Sequence, residues 1–420
     1  MLAVLATRRS ATVSAVGLAA AAMAANAVAV VSTVVFARML GTDGYGALAA
    51  LLNLSVILFV PGLALQVAAA REGALGRLGA GGELAATVAR WRTAVLLATV
   101  VVACAAVLAR GPLAALLNVD EEWAAAAVPV TGCLWLLLCL QRGLLQATRA
   151  YRAAGLSIVL EATGRLATGV LLAAVGLGVT GAYLGTAASI TVAALVLDRV
   201  LRRRLGPPVP DARPHPLGAL ARDAAMPIAV LTLLASLQNV DVIMARHGLD
   251  ETAAGVYAAC TVAAKALVWV AIGLGMWVLP EAARHAADGL DARTVLLRAL
   301  AIIGALAVCA LAVFAAVPGL LLRTAFGPDY ETGAGVLLTL GCAYALLAAS
   351  YLAVQFLLGV AGRTFALVLA AIAVAEPLLL LAADSLRDFA TVVLGVQAAG
   401  AVVLLGFGLA RRPLAAAPVA

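Results

Sequence analysis

The chain has 420 residues, of which 65% are hydrophobic and only 12% charged, with a formal net charge of +7. Soluble domains carry roughly 25% charged residues, and a chain of this length cannot hide so much apolar surface inside one globule, so a soluble protein is excluded and the bilayer is its solvent. The basic residues fall in short clusters between apolar runs, a pattern of membrane orientation and not of a nucleic-acid-binding face.

Arg8 and Arg9 precede the first apolar run, which passes twenty residues without a clear cleavage site and so reads as an uncleaved first span, not a signal peptide. Runs long enough to cross a ~30 Å hydrocarbon core then recur at 11–36, 47–69, 93–110, 123–145, 154–176, 179–198, 221–246, 253–279, 295–317, 333–358, 364–383 and 389–410. No period-2 alternation suggests a barrel, so helices are the only way to satisfy this backbone in lipid. The predicted class is an all-α integral membrane protein of about twelve transmembrane helices, with no soluble domain in its short connections.

Arginine distribution sets the expected orientation. The termini and even-numbered loops hold Arg8, Arg9, Arg71, Arg77, Arg90, Arg92, Arg142, Arg149, Arg152, Arg199, Arg202, Arg203 and Arg204. The odd-numbered loops hold Arg38, Arg110, Arg246, Arg323 and Arg387, mixed with acids such as Asp120, Glu122, Asp250 and Glu331. Positive charge stays inside, so both termini are expected in the cytoplasm. The proline-rich stretch through Pro207, Pro208, Pro210, Pro214 and Pro216 reads as a cytoplasmic linker at 205–220 between a first bundle, 1–204, and a second, 221–420.

The halves resemble each other. Aligned without gaps, NVDEEWAAAAVPVTGCLW and GPDYETGAGVLLTLGCAY place Asp120 on Asp329, Glu122 on Glu331, Gly132-Cys133 on Gly341-Cys342 and, further on, Gln146 on Gln355. FARMLGTDGYGALAA likewise matches MARHGLDETAAGVYAA. Two six-helix bundles of parallel orientation normally enclose a central cavity at their interface and alternate its exposure, which is the arrangement expected here.

Ionisable groups inside spans cost at least ~2.5–3.5 kcal/mol and so need a partner, a wet cavity or a function. Five qualify: Glu161, Arg165, Asp241, Lys265 and Glu376. Glu161 and Arg165 are spaced i,i+4 in the favourable order, and either neutralise each other or line a polar cavity. Lys265, the only lysine, lies too deep in the eighth span to snorkel easily, and is the foremost candidate for an anionic substrate group. Asp241 follows Gln238 and Asn239 on the seventh span, and Glu376 precedes Pro377 on the eleventh; these are candidates for ion coupling or for lining a cavity. Asn26 and Asn53 on the first two spans are candidate substrate contacts. Nothing suggests catalysis: His215, His247 and His285 lack metal-ligand spacing, there is no phosphate-binding loop, and the six cysteines read as small buried hydrophobes. No cofactor and no metal is expected.

The segments ARMLGTDGYGALAALLNLSVILFVPGL, LQNVDVIMARHGLDETAAGVYAAC and LLRTAFGPDYETGAGVLLTL…VAGR resemble the polysaccharide flippase branch of the multidrug/oligosaccharidyl-lipid/polysaccharide exporter superfamily, and the likeness extends over essentially the whole chain. The resemblance implies a V-shaped pair of six-helix bundles and transport of a polyprenyl-linked oligosaccharide from the cytoplasmic to the outer leaflet of a bacterial cytoplasmic membrane, by alternating access, for surface polysaccharide assembly. It implies lumenal cations that hold pyrophosphate or acidic sugars, a role that Lys265 fits. The first two spans depart from the pattern, offering Asn26 and Asn53 where the family has arginines or an acid, and Arg165 is a substrate-contact candidate by its own place within a span. Partners so implied are the lipid-linked oligosaccharide, membrane lipid, and a glycan polymerase or glycosyltransferases. A cation-coupled multidrug exporter of the same superfamily is the first alternative, disfavoured by an aromatic content of 5%. A non-transporting scaffold of a glycan-assembly complex is the second.

Overall fold

The computed structural model describes residues 2–209, 212, 214–287, 290–360 and 364–410, and among these there is no strand. Fourteen α-helices follow one another: α1 Leu2–Ala74, α2 Gly82–Leu108, α3 Arg110–Leu117, α4 Glu122–Ala147, α5 Tyr151–Leu172, α6 Gly178–Leu205, α7 Leu217–Asp223, α8 Ala225–Gly248, α9 Glu251–Ala287, α10 Arg293–Ala316, α11 Pro318–Ala325, α12 Ala334–Val360, α13 Thr364–Leu380 and α14 Leu386–Ala410. The all-helical membrane class expected from the apolar runs is what the chain adopts.

Nine stretches among the described residues are long and apolar enough to cross a membrane. Two of these, Ala20–Ala74 and Tyr151–Leu205, are 55 residues long; at 1.5 Å per residue each is far longer than a ~30 Å core requires. Each also contains a break. In α1 it is Gly41, at φ 69 and ψ −175, a backbone region that is essentially glycine's alone. Between α5 and α6 the π-turn Ala173–Leu177 holds Gly176 at φ 99 and is followed by Gly178 at φ 51. Twelve crossings follow if each long stretch crosses twice and the 17-residue helix Thr364–Leu380 crosses once.

The chain divides into two compact units, one of residues 1–40 and 54–232, the other of residues 41–53 and 233–420. In the first unit, α4 and α6 pack together with α2 around Trp91, Leu138, Leu144, Ile190, Leu197 and Leu201. There α5 and α6 lie against each other so closely that a Cβ on Gly185 would strike the backbone nitrogen of Gly169, the small-residue contact by which helices associate without a hydrophobic drive in lipid. Thr168 Oγ1, one residue before Gly169, donates to the carbonyl of Gly185 at 3.0 Å. In the second unit α12 is the central post, packed on α9, α10 and α14, with Tyr257, Tyr344, Phe356 and Phe389 fully buried around it.

The repeat read from the sequence recurs as element order. In the first unit a long helix, the eight-residue α3 and a second long helix succeed one another, and α10, the eight-residue α11 and, after a 3₁₀ turn at Pro328–Gly333, α12 do the same in the second. The proline-rich stretch is fastened to the first unit: the N–H of Val209 donates to the Gly82 carbonyl at 3.3 Å, Trp91 Nε1 to the His215 carbonyl at 2.7 Å, and the His215 N–H to Thr87 Oγ1 at 3.1 Å. One expectation about packing is corrected. Of the six cysteines, all free, only Cys139 and Cys260 are buried, whereas Cys104 and Cys309 are exposed on apolar helix faces. A thiol is apolar enough to face lipid as readily as a core.

Candidate functional site

Among the described residues each unit holds an interior cluster of charged side chains, and the two differ in chemistry. In the second unit the cluster is built on Lys265. The side-chain N–H groups of Asn53 and Asn239 donate to carbonyls one turn back in their own helices, those of Ala49 at 2.7 Å and Ala235 at 2.6 Å. This fixes both amides with oxygens outward. Lys265 Nζ donates to those two oxygens, at 2.6 Å to Asn53 Oδ1 and 3.1 Å to Asn239 Oδ1, and sits 5.9 Å from the centre of the Tyr344 ring. An ammonium has three donors; two are spent on neutral acceptors, which orient the charge without cancelling it. Lys265 is 8% exposed.

Asp241, wholly buried, does not form an ion pair with Lys265. Its Oδ2 instead accepts from the hydroxyls of Tyr257 at 2.9 Å and Tyr344 at 2.8 Å, while Oδ1 is buried without a hydrogen-bond partner among the described residues. Glu376, also fully buried, accepts from Gln397 Nε2 at 3.2 Å through Oε2, and its Oε1 is likewise unpartnered among the described residues. Both carboxylates act electrostatically on Lys265. Ionised together the three groups carry a formal charge of −1, so one bound monovalent cation would make this interior neutral. Gln238, placed beside them in the sequence, turns its amide to the Leu234 carbonyl of its own helix at 3.1 Å.

The first unit's cluster is an arginine pair about one acid. Glu161 lies 3.7 Å from Arg165 Nε and 3.8 Å from Arg142 Nη2. The Arg142 guanidinium also donates through Nε to Ser157 Oγ and through Nη2 to the Ser157 carbonyl, both at 3.0 Å, and lies over the Trp135 ring. Arg142 and Glu161 side chains are each 4% exposed, Arg165 28%. The cluster therefore keeps one positive charge in excess and presents it on Arg165. Arg142, which the arginine distribution placed in a cytoplasmic loop, belongs here: α4 runs on to Ala147, and the side chain turns inward to the acid on α5. Asn26 is exposed on α1 and joins neither cluster.

Glu161→Gln is expected to lower the thermal stability of the purified protein. Removing the one acid leaves Arg142 buried without a counter-charge, a change that costs about 3–5 kcal/mol in protein interiors. Thermal unfolding of the detergent-solubilised variant, followed by tryptophan fluorescence, measures the drop; an unchanged midpoint would mean that water solvates the arginines.

Sequence reasoning missed Arg142, Tyr257, Tyr344 and Gln397 as members of these clusters. Gln397 had a usable signal, being the one amide in an apolar final helix. Tyr344 had none, since a tyrosine in an apolar run is ordinary core, whereas Tyr257 falls within a segment that carries the family resemblance.

A family profile described as polysaccharide biosynthesis protein matches residues 14–281. Among solved structures, an inward-facing multidrug resistance MATE family transporter of the MOP superfamily superposes with a TM-score of 0.77 at 14% identity, over 93% of this chain and 94% of that one. The outward-facing conformation of a transporter described in the same words matches at TM-score 0.61 and 16% identity, over 95% of each chain. A MOP superfamily transporter from Pyrococcus furiosus Vc1, in which a binding pocket of reverse polarity suggests a different function, matches at 0.59 and 15%, again over 95% of each. No curated protein matches the sequence. Identities this low carry the fold alone; the fold is that of transporters.

Proposed function

Since the chain belongs to the polysaccharide biosynthesis protein family and has the fold of MOP superfamily transporters, we propose that it flips a polyprenyl-linked oligosaccharide across a bacterial cytoplasmic membrane, by alternating access, for assembly of a surface polysaccharide. The observation that carries this reading is Lys265: an interior cation held by two neutral amide oxygens, with no carboxylate in ion-pair contact among the described residues. Such a charge meets a substrate phosphate or acidic sugar once a cation or proton offsets the carboxylates Asp241 and Glu376, and in a site of low dielectric the attraction is strong. Asn53, whose amide aims the ammonium, orients it. Arg165 offers a second cation in the first unit, and Asn26 a neutral polar contact. Asp241 and Glu376, with Asn239 and Gln238 alongside, supply the acids through which a cation gradient couples to transport. Glycan polymerases or glycosyltransferases of the same assembly line are the expected protein partners.

The test is mass spectrometry of polyprenyl-linked sugars from a strain lacking the gene. Accumulation of a complete lipid-linked repeat unit together with less surface polymer supports the flippase and identifies its substrate. A second reading, a cation-coupled multidrug exporter, is favoured by the buried carboxylates Asp241 and Glu376 and by the fold it shares with such exporters. Under it the lipid profile is unchanged and drug susceptibility rises.

A further inference from the structure

The first unit carries another charged site, outside the Arg142 cluster, where the beginning of α2 meets the end of α6. There Arg92 Nη1 donates to Asp198 Oδ1 at 3.1 Å, and Arg202 Nε to Asp198 Oδ2 at 2.8 Å, with Arg202 Nη2 2.7 Å from the same oxygen. One acid thus gathers two guanidiniums and leaves most of their ten N–H donors turned elsewhere. Beside them is a half-open cavity of about 130 Å³, lined by Val88, Leu201, Leu205, Gly206 and Pro208 together with both arginines and no acid. Arg199, Arg203 and Arg204 stand exposed at the same end of α6.

The shape restricts the ligand. Pockets that enclose a whole small molecule hold ~300–1,000 Å³; this one admits a single anionic group and leaves the rest of the ligand outside. What lies outside is apolar. Leu96, one turn along α2 from Arg92, is 42% exposed, and Leu195, two turns back from Arg202 on α6, is 53% exposed. Residues at these spacings share a helix face, so the arginines stand at the head of two lipid-facing stripes. Arginines over an apolar wall at a helix end match a phosphate attached to acyl chains, and basic pockets between transmembrane helices hold anionic headgroups in this way.

We propose that the Arg92–Asp198–Arg202 cavity is a binding site for an anionic phospholipid of the surrounding bilayer, with the headgroup phosphate between the guanidiniums and the acyl chains along Leu96 and Leu195. The site does not depend on what the protein transports. It also links lipid to fold, because Gly206 and Pro208 in its lining begin the segment pinned to Gly82 and Thr87.

The test uses the purified full-length protein in neutral detergent, with thermal unfolding and native mass spectrometry after addition of phosphatidylglycerol, phosphatidylcholine or inorganic phosphate at equal concentration. Phosphatidylglycerol alone is expected to raise the unfolding midpoint and leave retained lipid adducts. Arg202→Gln should weaken its binding about fivefold and Arg92→Gln/Arg202→Gln by roughly the square of that. Asp198→Asn should bind more tightly, since the acid that competes with the phosphate is gone; a merely structural ion pair gives the opposite. Equal effects of phosphatidylcholine, unchanged binding by the double variant, or stabilisation by inorganic phosphate alone would each overturn the proposal. Arg202 is 61% exposed, so the single variant keeps the fold if the double variant does not.

Discussion

A strain whose only copy of the gene carries Lys265→Ala is expected to make about 10- to 100-fold less surface polymer and to accumulate the lipid-linked repeat unit. The magnitude is that of one hydrogen bond between the ammonium and an anionic substrate group. A hydrogen bond to a charged group is worth about 1.5–3 kcal/mol, and each 1.4 kcal/mol is tenfold. The cost to folding should be smaller, because Asn53 and Asn239 keep the bonds to their own helices and each gives up only the bond its oxygen accepts. Protein abundance in the membrane therefore stays near wild type while transport falls. Lys265→Arg tests the geometry: a planar fork cannot sit between the two amide oxygens as a compact ammonium does, so partial activity is expected. Wild-type polymer from the alanine variant would reduce Lys265 to a structural bridge between two asparagines.

Asp241 is expected to separate stability from transport. Asp241→Ala strands the buried hydroxyl of Tyr257 and leaves that of Tyr344 only the Gln238 carbonyl at 3.3 Å, since both donate to Oδ2. An unsatisfied buried group costs about 1–3 kcal/mol, so the detergent-solubilised variant should be destabilised by about that much and unfold below wild type. Asp241→Asn keeps an oxygen for the two tyrosines and should unfold close to wild type. It removes the negative charge, however, and with it the excess that a coupling cation would neutralise. Transport by this variant should drop at least about tenfold, the scale of one charge-assisted hydrogen bond, and its remaining rate should no longer respond to the external sodium or proton concentration. An asparagine variant with wild-type transport and the same cation response would exclude Asp241 from coupling and leave Glu376, tested in the same way by Glu376→Gln.

The membrane class, the helical spans and the candidate interior charges were legible because insertion is a local property. A run of apolar residues is favourable in lipid whatever the rest of the chain does, and an ionisable residue within it is costly enough to mark itself. Lys265, Asp241, Glu161, Arg165 and Glu376 stand out on that ground alone. Even the breaks were partly visible, since the polar stretch ARMLGTDGYG around Gly41 separates two apolar runs, and Gly176 and Gly178 fall where two more adjoin.

Partnership was not legible. Asn53 and Lys265 are 212 residues apart in the chain, Asp241 and Tyr344 103, and nothing in either span says which face meets which. A carboxylate and an ammonium on adjacent spans invite a salt bridge, yet packing gave the aspartate two phenols and the lysine two amides. Arg142 shows the same limit from the other side: at a span end it reads as an anchor, and only the approach of α5 turns it inward to Glu161. From the sequence alone came a helical membrane protein with a few expensive charges inside. The tertiary structure decided how each charge is held, because the cost of burying a group belongs to one residue whereas its compensation depends on helices that meet only after folding.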